Sequence, residues 1–557
     1  INNVEAVFDY LQRHDLLLDQ AGMETGAFAF KGEIREQLLA TSRNQLETEE
    51  RQQVYLLAAD WYQQKNHLLS AFDCLLLAQQ YAEISQLLSQ AGLQLLAERF
   101  QPDLFQLVAK IPDEQKVQCG WLALYTGISY MQQQPLEVDT WLELASAKFK
   151  AVDDQRGELL TLTQQLFLYL VIDGQQVLGI KRLPRFRELA KQQLEILDPY
   201  SRLKVLFSFG LAELFYAGSL GRCQDILNQG MAEAIREKLV EQQLEMNLLQ
   251  VLLALYQGRY RVARAALEHG RLAIFRLKGK SFSIKGFGVV ACELLFASGE
   301  LDAFYRQRHV AYQGWGKEPL QRSAFGAMLG WFAALGKLAL GQPAAALEQL
   351  ELAQLESPTA TRPHLKSWLL QARGLIRVVN GEPDGLADAK QALELRLQSD
   401  QLLTCLPNYL LAGAAATRVG EYRWAEEQLQ SGLQRSIDLA EERYRPAFHA
   451  WLARCCLERC AEAQALEHLE KMFELLRRQQ LDSCFALTPM LLEKIVPLAA
   501  GRVEWSEPLQ RMTQRWLGCN VVAQGQLVPL AQLQILGGLK YRLNDDGCDL
   551  SEVGQSS

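Results

Sequence analysis

The sequence predicts an all-α fold built from stacked helical hairpins, and the main observation behind this prediction is a repeat between Leu211 and Gln480. Each unit reads as an apolar helix, a short break and a small residue that opens a second apolar helix. Self-similarity at a period of about 20 to 50 residues is typical of solenoids. The breaks lie at Gly218, Gly258, Gly299, Gly341, Gly381, Gly420 and Cys460, so the successive intervals are 40, 41, 42, 40, 39 and 40 residues.

Two further observations support the same fold. Weaker breaks near Gln133 and Gly174 continue the spacing toward the N-terminus, which gives about nine units between residues 116 and 500. Proline is scarce, at 16 residues of 557, so long helices are favoured. Because the period exceeds the roughly 34 residues of a tetratricopeptide (TPR) unit, we expect a right-handed, TPR-like superhelix of longer hairpins with a concave groove.

Composition excludes several classes of function. The net charge of −8 argues against a long nucleic-acid footprint, which needs clustered positive charge. The sequence contains no uncharged apolar run of about 18 residues, so it predicts no membrane-spanning helix. The eleven cysteines are scattered and fit reduced thiols in the cytoplasm. Because the sequence begins at Ile1 with a charged amphipathic segment, we expect a piece of a longer chain.

The segments on either side of the array differ from it. Residues 1–45 combine amphipathic helices with the strand-like METGAFAF, and residues 46–115 read as three helices with short breaks. Residues 501–530 are expected to form a linker helix. In residues 531–557, alternating apolar residues precede Asn544-Asp545-Asp546-Gly547, which predicts a β-hairpin that is too short to be a domain.

Two of these flanking segments resemble a known family. The phrases FAFKGEIREQLLA and LLAADWYQQKNHLLSAFDCLLLAQQYAEISQLL resemble the winged-helix-to-repeat junction of MalT-like transcription regulators, a STAND-class group. The phrase QILGGLKYRL followed by Asp-Gly resembles the opening strands of the OmpR-type winged helix in bacterial transcriptional activator domains. At the junction, Lys65-Asn66 replaces the family's turn glycine. The matching junction positions are Ala58, Ala59, Trp61, Tyr62, Ala71, Tyr81, Leu87 and Leu88.

The resemblance implies a function without catalysis. It implies a signal-sensing, oligomerisation-control region that binds a small-molecule inducer, such as a sugar or metabolite, in the superhelical groove. ATP would belong to a nucleotide module before Ile1, and DNA contact to a module after Ser557. On this interpretation the chain itself is no enzyme, holds no cofactor and contacts no membrane, while self-association stays open.

Motifs for bound cofactors are absent from the sequence. The closest approach to a phosphate loop is Lys278-Gly279-Lys280-Ser281, but Ile274 stands where the motif needs a glycine. None of the seven histidines has a metal-ligand spacing. The cluster of Cys455, Cys456 and Cys460 is expected to pack within a helix.

One aromatic column is the candidate binding site. Trp331, Trp368, Tyr409 and Trp451 lie 10, 13, 11 and 9 residues before their breaks, at similar levels of successive first helices. These rings either line the groove and stack on a ligand, or pack between repeats. The remaining candidates are Trp315, which is expected in an exposed loop, and the possible hydrogen-bond donors Arg306, Arg308, Arg373 and Arg377, each of which could instead form a salt bridge.

Two other functions compete with the sensor. A superhelix of this kind also serves as a scaffold that holds a peptide or a regulatory protein. An enzyme on an α/α toroid would need acidic residues that converge at the inner helix ends, and the sequence shows no such convergence.

Overall fold

The structure is a computed structural model of the 557-residue chain, which folds into two compact units. Unit 1 comprises residues 1–91 and 95–122, and unit 2 comprises residues 92–94 and 123–557. The structure describes residues 18–20, 28–30, 48–97, 101–131, 135–172, 175–277, 283–315, 324–356, 363–398, 403–522, 525–530, 532–534, 540–543 and 546–549.

Unit 1 is mainly helical in its described part. Strand β1 (Leu18–Gln20) pairs antiparallel with β2 (Phe28–Phe30). The remaining residues predicted as a winged-helix-like remnant, up to residue 45, lie outside the described part of the chain. The helices are α1 (Thr48–Gln64), α2 (Leu68–Leu77), α3 (Tyr81–Ala91), α4 (Gln101–Ala109) and the short α5 (Asp113–Lys116).

The junction between α1 and α2 follows the sequence pattern. Asn66 has φ of 58° and therefore adopts the left-handed conformation that the family's glycine would take. Ala59, Ala71 and Leu88 are buried, whereas the Trp61 side chain is half exposed. The small and apolar positions of this segment thus form the contact between consecutive helices.

From Gly120 onward, the described residues form ten helical hairpins, in agreement with the predicted solenoid of about nine. In each hairpin a first helix is followed by a second helix, and from α8 to α24 each first helix also packs against the next first helix. The pairs are α6 (Gly120–Tyr130) and α7 (Pro135–Ala151), α8 (Gln155–Phe167) and α9 (Gln176–Gln193), α10 (Pro199–Phe215) and α11 (Leu220–Arg236), α12 (Val240–Tyr256) and α13 (Tyr260–Leu277), α14 (Ser283–Ala297) and α15 (Leu301–Trp315), α16 (Ala324–Ala339) and α17 (Pro343–Glu356), α18 (Pro363–Val379) and α19 (Gly385–Leu397), α20 (Leu406–Val419) and α21 (Tyr422–Asp438), α22 (Arg445–Glu458) and α23 (Glu462–Gln479), and α24 (Pro489–Ala499) and α25 (Ser506–Trp516).

Short segments of other helical types accompany these pairs. A π-helical segment, Leu168–Ile172, directly follows α8. The 3₁₀ segments are Gln94–Ala97, Leu194–Ile196, Leu403–Cys405 and Val503–Trp505.

Each predicted break from Gly218 to Cys460 has a residue with positive φ at the end of its first helix. At the second of them, Gly258 has φ of +66°, its N–H donates to the Leu255 carbonyl, and the Arg259 N–H donates to the Ala254 carbonyl. This is the Schellman pattern, in which a residue in the left-handed conformation ends a helix. Cys460 adopts the same conformation at 57°, although it lacks the freedom of a glycine. The forty-residue spacing is therefore a spacing of helix ends.

First and second helices are buried to different extents. In α12, 13 of 17 residues are buried, whereas in α13 only six of 18 are. A helix that is buried all round lies in the interior of a fold, and an amphipathic helix covers it from outside. The first helices are therefore the core of unit 2, and the second helices form its outer surface.

The inner side of the array is closed along a contact that we call the seam. Here the turns at Gly258 and Gly299 contact residues 440–485 and 515–516. The Glu442 N–H donates to the Tyr256 carbonyl at 2.8 Å, and Arg515 donates to the Gly299 carbonyl. The expected open groove is thus filled at this level, because the inner faces of the first helices are apolar and pack against other parts of the array.

The C-terminal region contains the predicted hairpin and further strands. Strands β6 (Lys540–Leu543) and β7 (Asp546–Asp549) form the predicted hairpin, but Asp546 and Gly547 lie in β7 rather than in the turn. Strand β5 (Gln532–Gln534) adds a third antiparallel strand. A hairpin that was not predicted pairs β3 (Cys519–Val521) with β4 (Leu527–Pro529). Among the described helices of both units, none is long and apolar enough to cross a membrane.

Two glycine variants test the seam. An alanine Cβ at Gly258 would lie 2.8 Å from Gln479 Nε2 and 3.1 Å from Glu442 Cβ, whereas one at Gly381 meets no atom within 4 Å. Both glycines have positive φ, so each Gly→Ala change should cost about 1–2 kcal/mol of unfolding free energy. Overpacking at the seam should add about 1–3 kcal/mol for Gly258→Ala only.

The measurement is urea unfolding of both variants beside the parent chain. Equal losses for Gly258→Ala and Gly381→Ala would contradict the seam contact.

Candidate functional site

The structure places Trp331 of the predicted aromatic column in the core. Its side chain is 3% exposed and stacks on Trp368, with ring centroids 6.3 Å apart and planes at 10°. It also packs against Phe332 of its own helix and against Phe485 from the far side of the seam, at 5.5 Å. This ring contacts two first helices and a distant segment of the array. Of the two predicted roles, it therefore has that of packing between repeats.

Trp451 is also buried, and the other two column rings are half-buried. Trp451 is 1% exposed, and its Nε1 donates to the Ala486 carbonyl at 3.2 Å. The Tyr409 ring lies 5.9 Å from the Arg435 guanidinium, and the Trp368 ring lies 5.6 Å from that of Arg396. Ligand binding by this column stays a prediction, and it would have to use Trp368 and Tyr409.

Trp315 is the last residue of α15, rather than part of the loop in which it was expected. Its side chain lies outside the described part of the chain, so its proposed contact with a ligand stays a prediction. The phosphate-loop candidate at residues 278–281 also lies outside the described residues.

Arg373 and Arg377 share one carboxylate. Arg373 holds Asp388 through two hydrogen bonds of 2.9 and 2.8 Å, and Arg377 adds a third of 3.0 Å. Arg377 also binds Glu382 at 2.8 Å. Burial raises the pKa of Asp388, but the hydrogen bonds from the two arginines outweigh burial and lower it. Both arginines therefore connect α18 to α19 through salt bridges, which is the second of the two roles that the sequence left open.

A buried group of charges at the seam was not identified from the sequence. The guanidinium of Arg443 pairs with Glu293 and lies 5.7 Å from the Tyr256 ring and 5.1 Å from the Tyr444 ring. Glu441 is fully buried and accepts from the Tyr444 N–H at 3.1 Å. Burial raises the pKa of Glu441 to about 8, so it holds a proton at neutral pH. In the sequence, these residues look like an ordinary solvated loop.

A groove on the outer surface is a candidate site for a partner. This outer groove lies between α13 and α15, has a volume of about 600 Å³, and has Leu294 and Leu295 of α14 in its lining. Arg264, Glu268 and Arg271 line it from α13, at the spacing of one helix face. The other lining residues are Leu267, Glu300, Ala303, Arg306, Gln307 and Val310.

Exposed apolar side chains also lie on the two helices that line the outer groove. Val310 of α15 is 58% exposed. On α13, Phe275 is 85% exposed and follows Arg271 by four positions, so it lies on the same face of the helix. Leu272 is exposed beside it. Sequence reasoning missed this feature, although a phenylalanine at a polar position of an amphipathic helix is a usable signal.

The described residues hold no group of three or more histidine, cysteine or acidic side chains that could bind a metal ion. His449 and His468 face each other, with 3.1 Å between their Nδ1 atoms. Burial, and then the neighbouring His468, lower the pKa of His449 to about 3, so this ring is neutral at physiological pH. The pair is therefore a packing contact between α22 and α23.

Comparison with known proteins gives structural likeness alone. No protein-family model matches the chain, and no curated protein does either. Among solved structures, the chain is similar to one in the crystal structure of the APC/C hetero-tetramer Cut9–Hcn1, with 14% sequence identity and a TM-score of 0.44. The match covers 82% of this chain and 75% of that chain. This likeness carries no argument about partners, and the TPR-like solenoid is assigned from the hairpins themselves.

Tryptophan variants separate packing from ligand contact. Trp331→Ala should lower the unfolding free energy by about 3–5 kcal/mol, because the ring fills the seam. Trp368→Ala should cost about half as much, since its ring is partly exposed but stacks on Trp331 and lies beside Arg396. Trp61→Ala, at a half-exposed ring, is the control and should cost less than about 1 kcal/mol. Urea unfolding measures all three variants. A small loss of unfolding free energy for Trp331→Ala would contradict the packing role and favour a ring that lines the groove.

Glu441 predicts a pH-dependent stability. Its folded pKa of about 8 lies above the ordinary value of 4.5, so the native state binds the extra proton. The stability from this proton is complete below about pH 4.5 and is lost as the pH rises through about 8. Glu441→Gln removes the dependence and should make the chain more stable than the parent at about pH 9, by about 1–3 kcal/mol.

Unfolding curves at several pH values check this difference. Parallel pH profiles for the parent and Glu441→Gln would show that Glu441 is ionised in the folded state.

Proposed function

We propose that this chain is a protein-interaction scaffold that binds an acidic amphipathic helix of a partner protein in the outer groove. The observation that supports it is a groove between two second helices that is lined by exposed Val310 and by three arginines, with Leu272 and Phe275 also exposed on one of those helices. Apolar surface of this kind is costly to leave in water, and in soluble proteins it marks interaction sites.

The charges in the outer groove favour an acidic occupant. Arg264 is paired with Glu300, and Arg271 with Glu268, so these four charges balance. Arg306 also lines the groove and forms no ion pair with a described residue, which leaves the groove positive. A partner helix would place apolar residues at i, i+3 and i+7 against the apolar side chains and acidic residues toward the arginines. Charge complementarity then selects this partner over a basic one.

A second proposal is that the scaffold is the sensing region of a MalT-like transcription regulator. The similarity of the Ala58–Leu88 segment supports it, and so does the burial of the small and apolar residues Ala59, Ala71 and Leu88 in unit 1. On this proposal an inducer shifts the array between two states, and it does so only by its differential affinity for them. ATP and DNA would bind to modules outside this chain, and the scaffold itself would carry out no catalysis.

A designed peptide tests the outer groove. The probe is a fluorescent helical peptide with leucines at i, i+3 and i+7 and glutamates elsewhere, and the comparison peptide carries lysines in place of the glutamates. The acidic peptide should bind more tightly. The double variant Phe275→Asp/Val310→Asp should weaken its binding by about tenfold or more, because it removes apolar contact and adds repulsion.

Val503→Asp is the matched control, because Val503 is also 85% exposed but belongs to the 3₁₀ segment Val503–Trp505 and does not line the outer groove. Its affinity for the acidic peptide should equal that of the parent chain. The proposal fails if the basic peptide binds equally well. It also fails if Phe275→Asp/Val310→Asp converts a dimer of this chain to a monomer, since the patch would then bind a second copy.

A further inference from the structure

A second groove lies at the seam, where parts of the array that are distant in sequence meet. This seam groove has a volume of about 640 Å³, within the range of about 300–1,000 Å³ that is usual for small-molecule sites. One wall is the turn from Gln257 to Val262, and the facing wall contains Ala440, Glu442 and the end of α23 at Arg478–Gln480. Gly221, at the start of α11, lies at its edge.

The charged side chains that line the seam groove are mainly basic. Arg259, Arg261 and Arg478 are exposed, and among the described residues of the lining Glu442 is the only acidic one. Glu442 is already held by Arg478 at 2.8 Å. Arg259 and Arg261 form no ion pair with any residue that the structure describes. Two arginine side chains are therefore available to an anionic ligand.

The backbone adds positive potential in the same place. Helices α11 and α13 begin at Leu220 and Tyr260, and residues of both first turns line the seam groove. Neither first turn contains an acidic side chain. Because the N-terminus of a helix carries free N–H groups and a partial positive charge, two such ends favour an anion between them.

A buried acceptor lies at the same groove. The side chain of Gln479 is 3% exposed and lines the seam groove. Its Nε2 donates to the Glu442 carbonyl at 2.8 Å, while its Oε1 has no hydrogen-bond partner. An unpaired buried acceptor costs free energy that a ligand hydroxyl would recover. An organic phosphate with hydroxyl groups can donate to this acceptor through a hydroxyl that is separate from its charged group.

We propose that the seam groove binds a small hydroxylated anion of the sugar-phosphate class. Arg259 and Arg261 hold the phosphate beside the start of α13, and a ligand hydroxyl donates to Gln479 Oε1. Arg478 completes the charge on the opposite wall. Because the ligand contacts both walls, it stabilises the closed seam, which is a role that does not depend on a partner in the outer groove.

Thermal unfolding and calorimetry of the 557-residue chain test the proposal. The probes are glucose 6-phosphate, glucose and inorganic phosphate, each at about 10 mM. At this concentration, binding with a dissociation constant of up to about 1 mM is detected. Glucose 6-phosphate should raise the melting temperature by about 2 °C or more, because it binds only the folded chain. Glucose should give no shift, and inorganic phosphate should give a smaller one.

Two charge-reversal variants locate the site. Arg259→Glu/Arg261→Glu should reduce the affinity for glucose 6-phosphate by at least about tenfold. The matched control, Arg276→Glu/Arg423→Glu, makes the same charge change at exposed arginines outside the seam groove and should retain binding. Gln479→Leu should remove the preference for glucose 6-phosphate over inorganic phosphate.

Three outcomes would overturn the proposal. These are no shift with glucose 6-phosphate, an equal response to glucose, and binding that survives Arg259→Glu/Arg261→Glu. These outcomes can be distinguished from failure of the outer-groove proposal, because that proposal is tested by peptide affinity in the absence of any phosphate.

Discussion

Burial of the first helices on every side is the constraint on which unit 2 depends. A single hairpin covers only one face of its first helix, and its neighbours in the array cover two more. The last face is covered at the seam, where Phe296 and Phe485 pack with their centroids 5.8 Å apart although they come from different parts of the chain. Close packing of this kind excludes water from the inner face. The array therefore behaves as a closed body at this level rather than as an open groove.

Closure brings charges into the interior together with the aromatic rings. The Arg443–Glu293 pair is buried, and Nε and Nη2 of Arg443 have no hydrogen-bond partner among the described residues. A buried pair adds little net stability over apolar packing, but loss of one partner leaves an uncompensated charge. Such a pair fixes which segments meet at the seam. It also makes separation of the two sides sensitive to any change that removes one charge.

The local features of the fold could be predicted from the sequence, and the long-range features could not. Glycine marks helix ends because the left-handed conformation suits it, so Gly258 and Gly420 revealed the period directly. The seam joins Tyr256 to Glu442, and no local pattern encodes a contact across that separation. The aromatic column was found by its spacing, but spacing cannot tell a ring that packs across a seam from one that lines a groove. Arg373 and Arg377 illustrate the same limit, since their partner Asp388 lies on the following helix.

Helix α13 connects the two candidate sites physically. Its first turn lines the seam groove at Arg261, and its outer face lines the outer groove at Arg264 and Arg271 before reaching Phe275. At about 1.5 Å of rise per residue, Arg261 and Phe275 are about 20 Å apart on one rigid element. Proximity on a helix is not coupling, because coupling requires an element with two arrangements that both sites bias. Under the proposal for the seam groove, a ligand between its walls would hold the first turn of α13 against residues 440–442 and 478–480, and the seam would then be the element that couples the two sites.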